Sequence, residues 1–141
     1  MARMPKLQDF EGAWVLTRII EDRMTQAQGR LSGTAEFVAR EAGGFDYRET
    51  GELTYGSQPP MAATRTYIWE PIETGIAVSF EDGRPFHVIA EDRLMPDANH
   101  HCDPDWYHVS YDFTRWPDWR AVWRVVGPRK DYRMLSEYKR A

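Results

Sequence analysis

The chain has 141 residues, 18 of them basic and 22 acidic, for a formal net charge of −4; that is long enough for one domain with its own core, and no global field draws it toward phosphate backbones or anionic lipid. Aromatics make up 13% of the residues, with six Trp and seven Tyr, which is rich enough that many rings must be buried. A lone cysteine rules out an intramolecular disulfide. The opening MARMPKLQDF has no apolar run of signal-sequence type, and no stretch is long enough to span a bilayer as a helix. The expectation is a cytoplasmic protein, residues 1–141 as a single domain, with neither nucleic acid nor membrane as partner, and either monomeric or homodimeric.

After a polar lead-in, Gly12 to Arg23 reads as a strand, with Trp14, Leu16, Arg18 and Ile20 on one face and Ala13, Val15, Thr17 and Ile19 on the other. Two largely apolar faces predict cover on both sides near its start. MTQAQGR is a polar turn, and Leu31 to Glu41 a second strand ended by Gly43-Gly44. Phe45 to Tyr55 alternates clearly and puts Glu49 on the same face as Phe45, Tyr47 and Leu53; after GSQPPM, Thr64 to Glu70 groups Arg65, Tyr67 and Trp69. Gly75 to Phe80 and Arg84 to Ala90 form a hairpin around Asp82-Gly83. A looser segment, Asp92 to Pro104, precedes three further strands: Asp105 to Thr114, Trp119 to Val126 and Asp131 to Arg140.

No helix of ten or more residues is predicted, and turn signals recur at the interval of an all-β barrel. An up-and-down antiparallel meander follows, and its closure removes exposed edges. Nine strands would bring the first and last together in parallel, whereas an even number closes antiparallel. A barrel of 9–10 strands is therefore expected, with Ala98 to Asp103 as the candidate tenth.

Gly12-Ala13-Trp14 on the first strand, followed by a meander ending in Tyr138-Lys139-Arg140, resembles a calycin: the lipocalin, fatty-acid-binding and nitrobindin-like barrels. The resemblance implies that Trp14 closes one barrel end, with Arg140 or else Lys139 lying across it. A closer resemblance covers nearly the whole chain. Phe10-x-Gly12-x-Trp14, Arg18, Tyr47-x-Glu49, Tyr67-x-Trp69, the run Phe80-x-Asp82-Gly83-Arg84-Pro85-Phe86-His87, His100-x-Cys102, Asp105-x-Tyr107, Trp123 and Gly127 to Tyr132 are similar to the domain of unknown function 6314. It implies a calycin-like barrel and carries no catalytic or binding residues with it.

Strand parity turns Arg18, Glu49, Arg65, Tyr67, Tyr107, Tyr111, Ser136 and Tyr138 inward among the aromatics. Unpaired buried charge is costly, so these groups imply internal ion pairs, ordered water or a polar ligand. An Arg18–Glu49 pair that merely plugs the barrel stands beside a site for a small, partly apolar ligand with a polar or anionic group. The candidate ligand-binding set is Arg18, Glu49, Tyr67, Trp69, His87, Tyr107, Tyr111, Trp123, Ser136 and Tyr138. Of Phe86 and His87, parity lets only one point inward. His87 has three readings: a hydrogen-bonded core residue, an acid/base group, or a haem ligand.

The stretch HHCDPDWYHVSY holds three of the four histidines and the one cysteine, yet the spacing is wrong for a zinc framework; no metal site is expected, and His100 with Cys102 is the pairing left open. Arg129 and Lys130 at the Gly127-Pro128 turn read as a solvated rim, with a phosphate or carboxylate site as the other reading. Arg115 to Arg120 interleaves aromatic and basic residues as single-strand binders do, against the net acidic charge. Catalysis is not required by any of this, and no cofactor is assigned. The alternatives to a ligand-binding barrel are a small isomerase- or hydrolase-type enzyme using His87 or His100 as acid/base, and an interaction module with a filled barrel.

Overall fold

The computed structural model describes residues 4–141. Its elements are a 3₁₀ turn, Leu7–Phe10, and ten strands: β1 (Gly12–Asp22), β2 (Ala27–Ala39), β3 (Phe45–Tyr55), β4 (Met61–Ile72), β5 (Gly75–Phe80), β6 (Pro85–Ala90), β7 (Asp97–Cys102), β8 (Asp105–Asp112), β9 (Trp119–Gly127) and β10 (Lys130–Arg140). They make one antiparallel sheet in the order β6-β5-β4-β3-β2-β1-β10-β9-β8-β7. This is a nearly closed, calycin-like barrel. The tenth strand is β7, in the segment whose sequence is least strand-like. It makes the number even, so β1 and β10 pair antiparallel with Trp14 opposite Arg140. The remaining seam lies between β6 and β7, which touch without a ladder among the described residues.

Three expectations are corrected. β1 is covered on one side only: Trp14, Leu16 and Arg18 are buried, whereas Val15 is 47% exposed. A barrel has a single interior, and the β-branched residues of the outer face suit the pleat without being covered. The lead-in is not merely polar. Its 3₁₀ turn buries Leu7 and Phe10. The Phe10 ring lies 5.4 Å from Phe37, Trp69 and Trp119 and 4.8 Å from Trp116, centroid to centroid, which makes it the hub of an aromatic plug at this barrel end. Thirdly, Phe86 and His87 are both buried toward the interior. The β5–β6 register shifts between Val78 and Ser79, and the bulge re-aims successive side chains to one face.

Trp14 donates its indole N–H to the Phe10 carbonyl at 2.9 Å, and the Arg140 guanidinium sits 4.0 Å above the Trp14 ring while donating to the Glu11 and Asp9 carbonyls. Arg140, not Lys139, crosses the closed end.

Gly33 sits opposite Gly51 across β2 and β3. A Cβ at Gly33 would come 2.1 Å from the Thr50 carbonyl oxygen and 2.5 Å from Gly51 Cα, both backbone atoms that cannot give way cheaply. Gly33→Ala is therefore expected to cost about 1–3 kcal/mol, as overpacking does. Urea unfolding measures it, and an unchanged midpoint would show that the two backbones can part freely.

Candidate functional site

Small inward residues on β2 create the central polar layer. Arg18 on β1 stands opposite Leu31 of β2 and Glu49 on β3 opposite Ala35, with Gly33 the inward position between them, so the two long side chains meet diagonally over β2. Arg18 Nη1 donates to Glu49 Oε1 at 2.9 Å and Nη2 to Oε2 at 2.6 Å, while Nε donates to the Ser136 hydroxyl at 2.6 Å. The Tyr47 hydroxyl donates to Glu49 Oε2 and lies 2.7 Å from the Tyr138 hydroxyl. Both charges are thus forked together and hydrogen-bonded, as a buried pair must be. Burial alone would raise the Glu49 carboxyl; hydrogen bonds and charge from Arg18, with the Tyr47 hydroxyl, outweigh it and hold the group below its ordinary value. Burial likewise works against the Arg18 charge and is overcome by Glu49. Tyr138 is pushed up to about 12, by burial first and the Glu49 charge second.

Above this layer lies a cavity of about 50 Å³. Arg18, Glu49, Trp69, Tyr111 and Tyr138 line its deeper part and are buried; Tyr67, Tyr107 and Trp123 line it and are half-buried. His87 completes that wall, whereas Ser136, fully buried, supports Arg18 from outside it. The wall also takes Tyr47, Arg65, Trp119 and Tyr132, which the candidate set omits. Strand parity already turns Tyr47 and Arg65 to the inward face, two residues from Glu49 and Tyr67, and the same alternation reaches Trp119 four residues before Trp123 and Tyr132 four before Ser136. Arg65 lines the cavity and is nevertheless exposed, so it stands at the mouth.

Three residues of this wall each keep a buried polar atom without a partner: Trp69 Nε1, Trp119 Nε1 and His87 Nδ1. The His87 Nε2 atom is 2.9 Å from the Tyr111 hydroxyl. If Nε2 accepts there, Nδ1 carries an unmet proton; if it donates, Nδ1 is an unmet acceptor. Burial, reinforced by His100, lowers the His87 pKa to about 3, and burial raises Tyr111 well above 10. At neutral pH neither member of this pair ionises. A cavity of about 50 Å³ does not enclose a haem macrocycle.

The histidine-rich stretch forms the β7–β8 hairpin and is dispersed by it. His100 packs edge-on to Phe86, 5.1 Å between centroids, outside the cavity wall. His101 stacks on Trp106 at 4.0 Å, Cys102 is exposed, and His108 meets Asp97 at 3.0 Å. Among the described residues no three of His, Cys, Asp and Glu come together in a metal-holding group. At the rim Lys130 is ion-paired with Asp105 at 3.0 Å. Trp116 and Trp119, read as possible base-stacking residues, pack against Phe10 and Trp14. Among the described residues no helix is long and apolar enough to cross a membrane.

A family model described as a family of unknown function, DUF6314, matches residues 10–140. The chain belongs to the DUF6314 family. No curated protein matches it. Among solved structures, this DUF6314 barrel is similar to the S-type phycobiliprotein lyase CPES from Guillardia theta, with a TM-score of 0.62 at 9% identity, over 96% of this chain and 90% of that one. It is also similar to a protein of unknown function from the DUF3598 family of Nostoc punctiforme, with a TM-score of 0.62 at 11% identity, over 99% of this chain but 51% of the other, about half its length. Both likenesses concern the fold.

Proposed function

We propose that this DUF6314 protein binds a small, partly apolar molecule bearing a polar or anionic group, inside the barrel. One observation carries the reading: Trp69 Nε1, Trp119 Nε1 and His87 Nδ1 are buried and unpartnered, and all three residues line one cavity. A buried polar atom left unpaired costs about 1–3 kcal/mol, and three on residues that line the same cavity favour a partner there. The space, about 50 Å³, holds a few waters at roughly 10–15 Å³ each. A ligand larger than that reaches out through the mouth past Tyr67 and Tyr107. The fold is shared with a phycobiliprotein lyase, and at 9% identity that likeness transfers no residue role.

The contact between His87 and Tyr111 favours a second reading, a barrel enzyme using His87 as acid or base. A general base works best with a pKa near the working pH, and a histidine held neutral down to about 3 is a weak one, so binding remains the better account. Native mass spectrometry of freshly purified protein tests it. We expect a mass increment that disappears on denaturation, together with a change in tryptophan emission when the ligand is stripped. A bare mass with emission unaltered by stripping would overturn the proposal.

A further inference from the structure

The charges on the cavity wall do not balance. Arg18 is matched by Glu49 in a two-pronged pair, and His87 and the tyrosines are neutral. The remaining charged wall residue is Arg65, which donates to the Tyr67 hydroxyl at 3.4 Å and forms no ion pair among the described residues. The wall therefore carries one positive charge in excess, and it carries it at the mouth. The floor is of the opposite kind. Trp69 and Trp119 are each 3% exposed, and their unmet indole N–H groups can only donate, so they call for an acceptor.

The geometry points to a compact organic carboxylate bound charge-outward, its anion on Arg65 and Tyr67 at the mouth and an uncharged acceptor, such as a carbonyl oxygen, on the indole N–H groups of Trp69 and Trp119. This rests on the cavity-binding reading above. The reverse orientation would desolvate an anion at the floor, where the nearest cation, Arg18, is already taken by Glu49; such a burial is expensive. At the mouth the charge keeps part of its hydration and still gains a guanidinium, whose planar fork suits a carboxylate. Size agrees with this order. A volume of about 50 Å³ admits the carbonyl end, while the apolar body lies higher, against Tyr67 and Phe86. An open groove lined by Thr66, Phe80, Glu81 and Asp82 shares Arg65 and Tyr67 with the cavity; Asp82 is matched by Arg84 at 2.7 Å, and Glu81 is the carboxylate from which an anion on Arg65 must keep clear.

Calorimetric titration with three probes tests the assignment: 4-acetylbenzoate, its methyl ester, which lacks the charge, and benzoate, which lacks the ketone. The acid should bind at least tenfold more tightly than the ester and more tightly than benzoate. Arg65→Met should weaken the acid at least tenfold and leave the ester unchanged, Arg65→Lys should restore part of the loss, and Trp69→Phe should reduce 4-acetylbenzoate toward benzoate. Since Arg65 is exposed, an unchanged urea midpoint shows that the Met variant is folded. An ester as tight as the acid, or a Met variant that binds as the parent does, overturns the anion assignment and leaves the cavity reading standing. Failure of all three probes also overturns it; a molecule found by native mass spectrometry would then preserve the broader reading, and a bare mass would remove both.

Discussion

Glu49→Gln is expected to remove about 3–5 kcal/mol of unfolding free energy, because it leaves Arg18 charged, buried and without its counter-ion. The substitution is nearly isosteric, so little of the loss can come from packing. Against a typical total of about 5–15 kcal/mol it is a large fraction. Arg18→Met should behave differently. An arginine cannot shed its proton, whereas Glu49 left alone can take one up, and that escape becomes easier by about 1.4 kcal/mol for each pH unit lost. At pH 7 the two variants should be comparably damaged; at pH 5 Arg18→Met should be the more stable. The double variant Arg18→Met with Glu49→Leu should recover part of the loss, since it buries no charge; Tyr138 still donates to the Tyr47 hydroxyl 2.7 Å away, while the Tyr47 proton and the Ser136 hydroxyl lose their partners. Urea unfolding at both pH values reads all four proteins. Single variants within about 1 kcal/mol of the parent would mean that water reaches the pair and that the polar layer is not sealed.

This layer was legible in the sequence because strands report their faces. Period-2 alternation put Arg18 with Trp14 and Glu49 with Tyr47, and once a barrel is assumed two inward charges of opposite sign imply each other. What let them meet was less visible. Gly33 and Ala35 matter for what they lack, and an absence leaves no pattern in hydropathy. His87 escaped for a related reason: alternation forces one of Phe86 and His87 outward, and the bulge that admits both is a property of the β5–β6 register, not of either strand's own residues. Phe10 was hidden because a 3₁₀ turn of four residues is too short to show a period, so its ring, which touches six other aromatics, looked like part of a tail. The strand β7 reads as polar because it is an edge beside the seam, with Asp97, Asn99, His101 and Cys102 exposed; parity of the whole barrel, not local propensity, called for it.

The sharpest acid sensitivity of this protein should come from His87. Its folded pKa is about 3 against an ordinary value of 6.5, so the unfolded chain takes up a proton there over a range in which the folded chain does not. Stability is complete above pH 6.5 and declines as pH falls, by about 1.4 kcal/mol per unit, until the folded form also protonates near pH 3. Glu49 acts in the same direction but later. Its folded pKa is depressed, so its contribution is present above the ordinary carboxyl range, starts to fade near pH 4.5, and is lost as pH falls through the folded value. The interval from pH 6.5 to 4.5 thus isolates the histidine, with about 2–3 kcal/mol at stake. His87→Gln keeps a hydrogen-bonding side chain beside the Tyr111 hydroxyl and removes the titration, so its stability should be nearly flat across that interval while the parent's slopes. Urea midpoints at half-unit steps provide the comparison, and imidazole shifts in the folded protein provide a direct check. Equal slopes in the two proteins, or a His87 signal titrating near 6.5, would mean that the imidazole is hydrated and that water already partners its Nδ1.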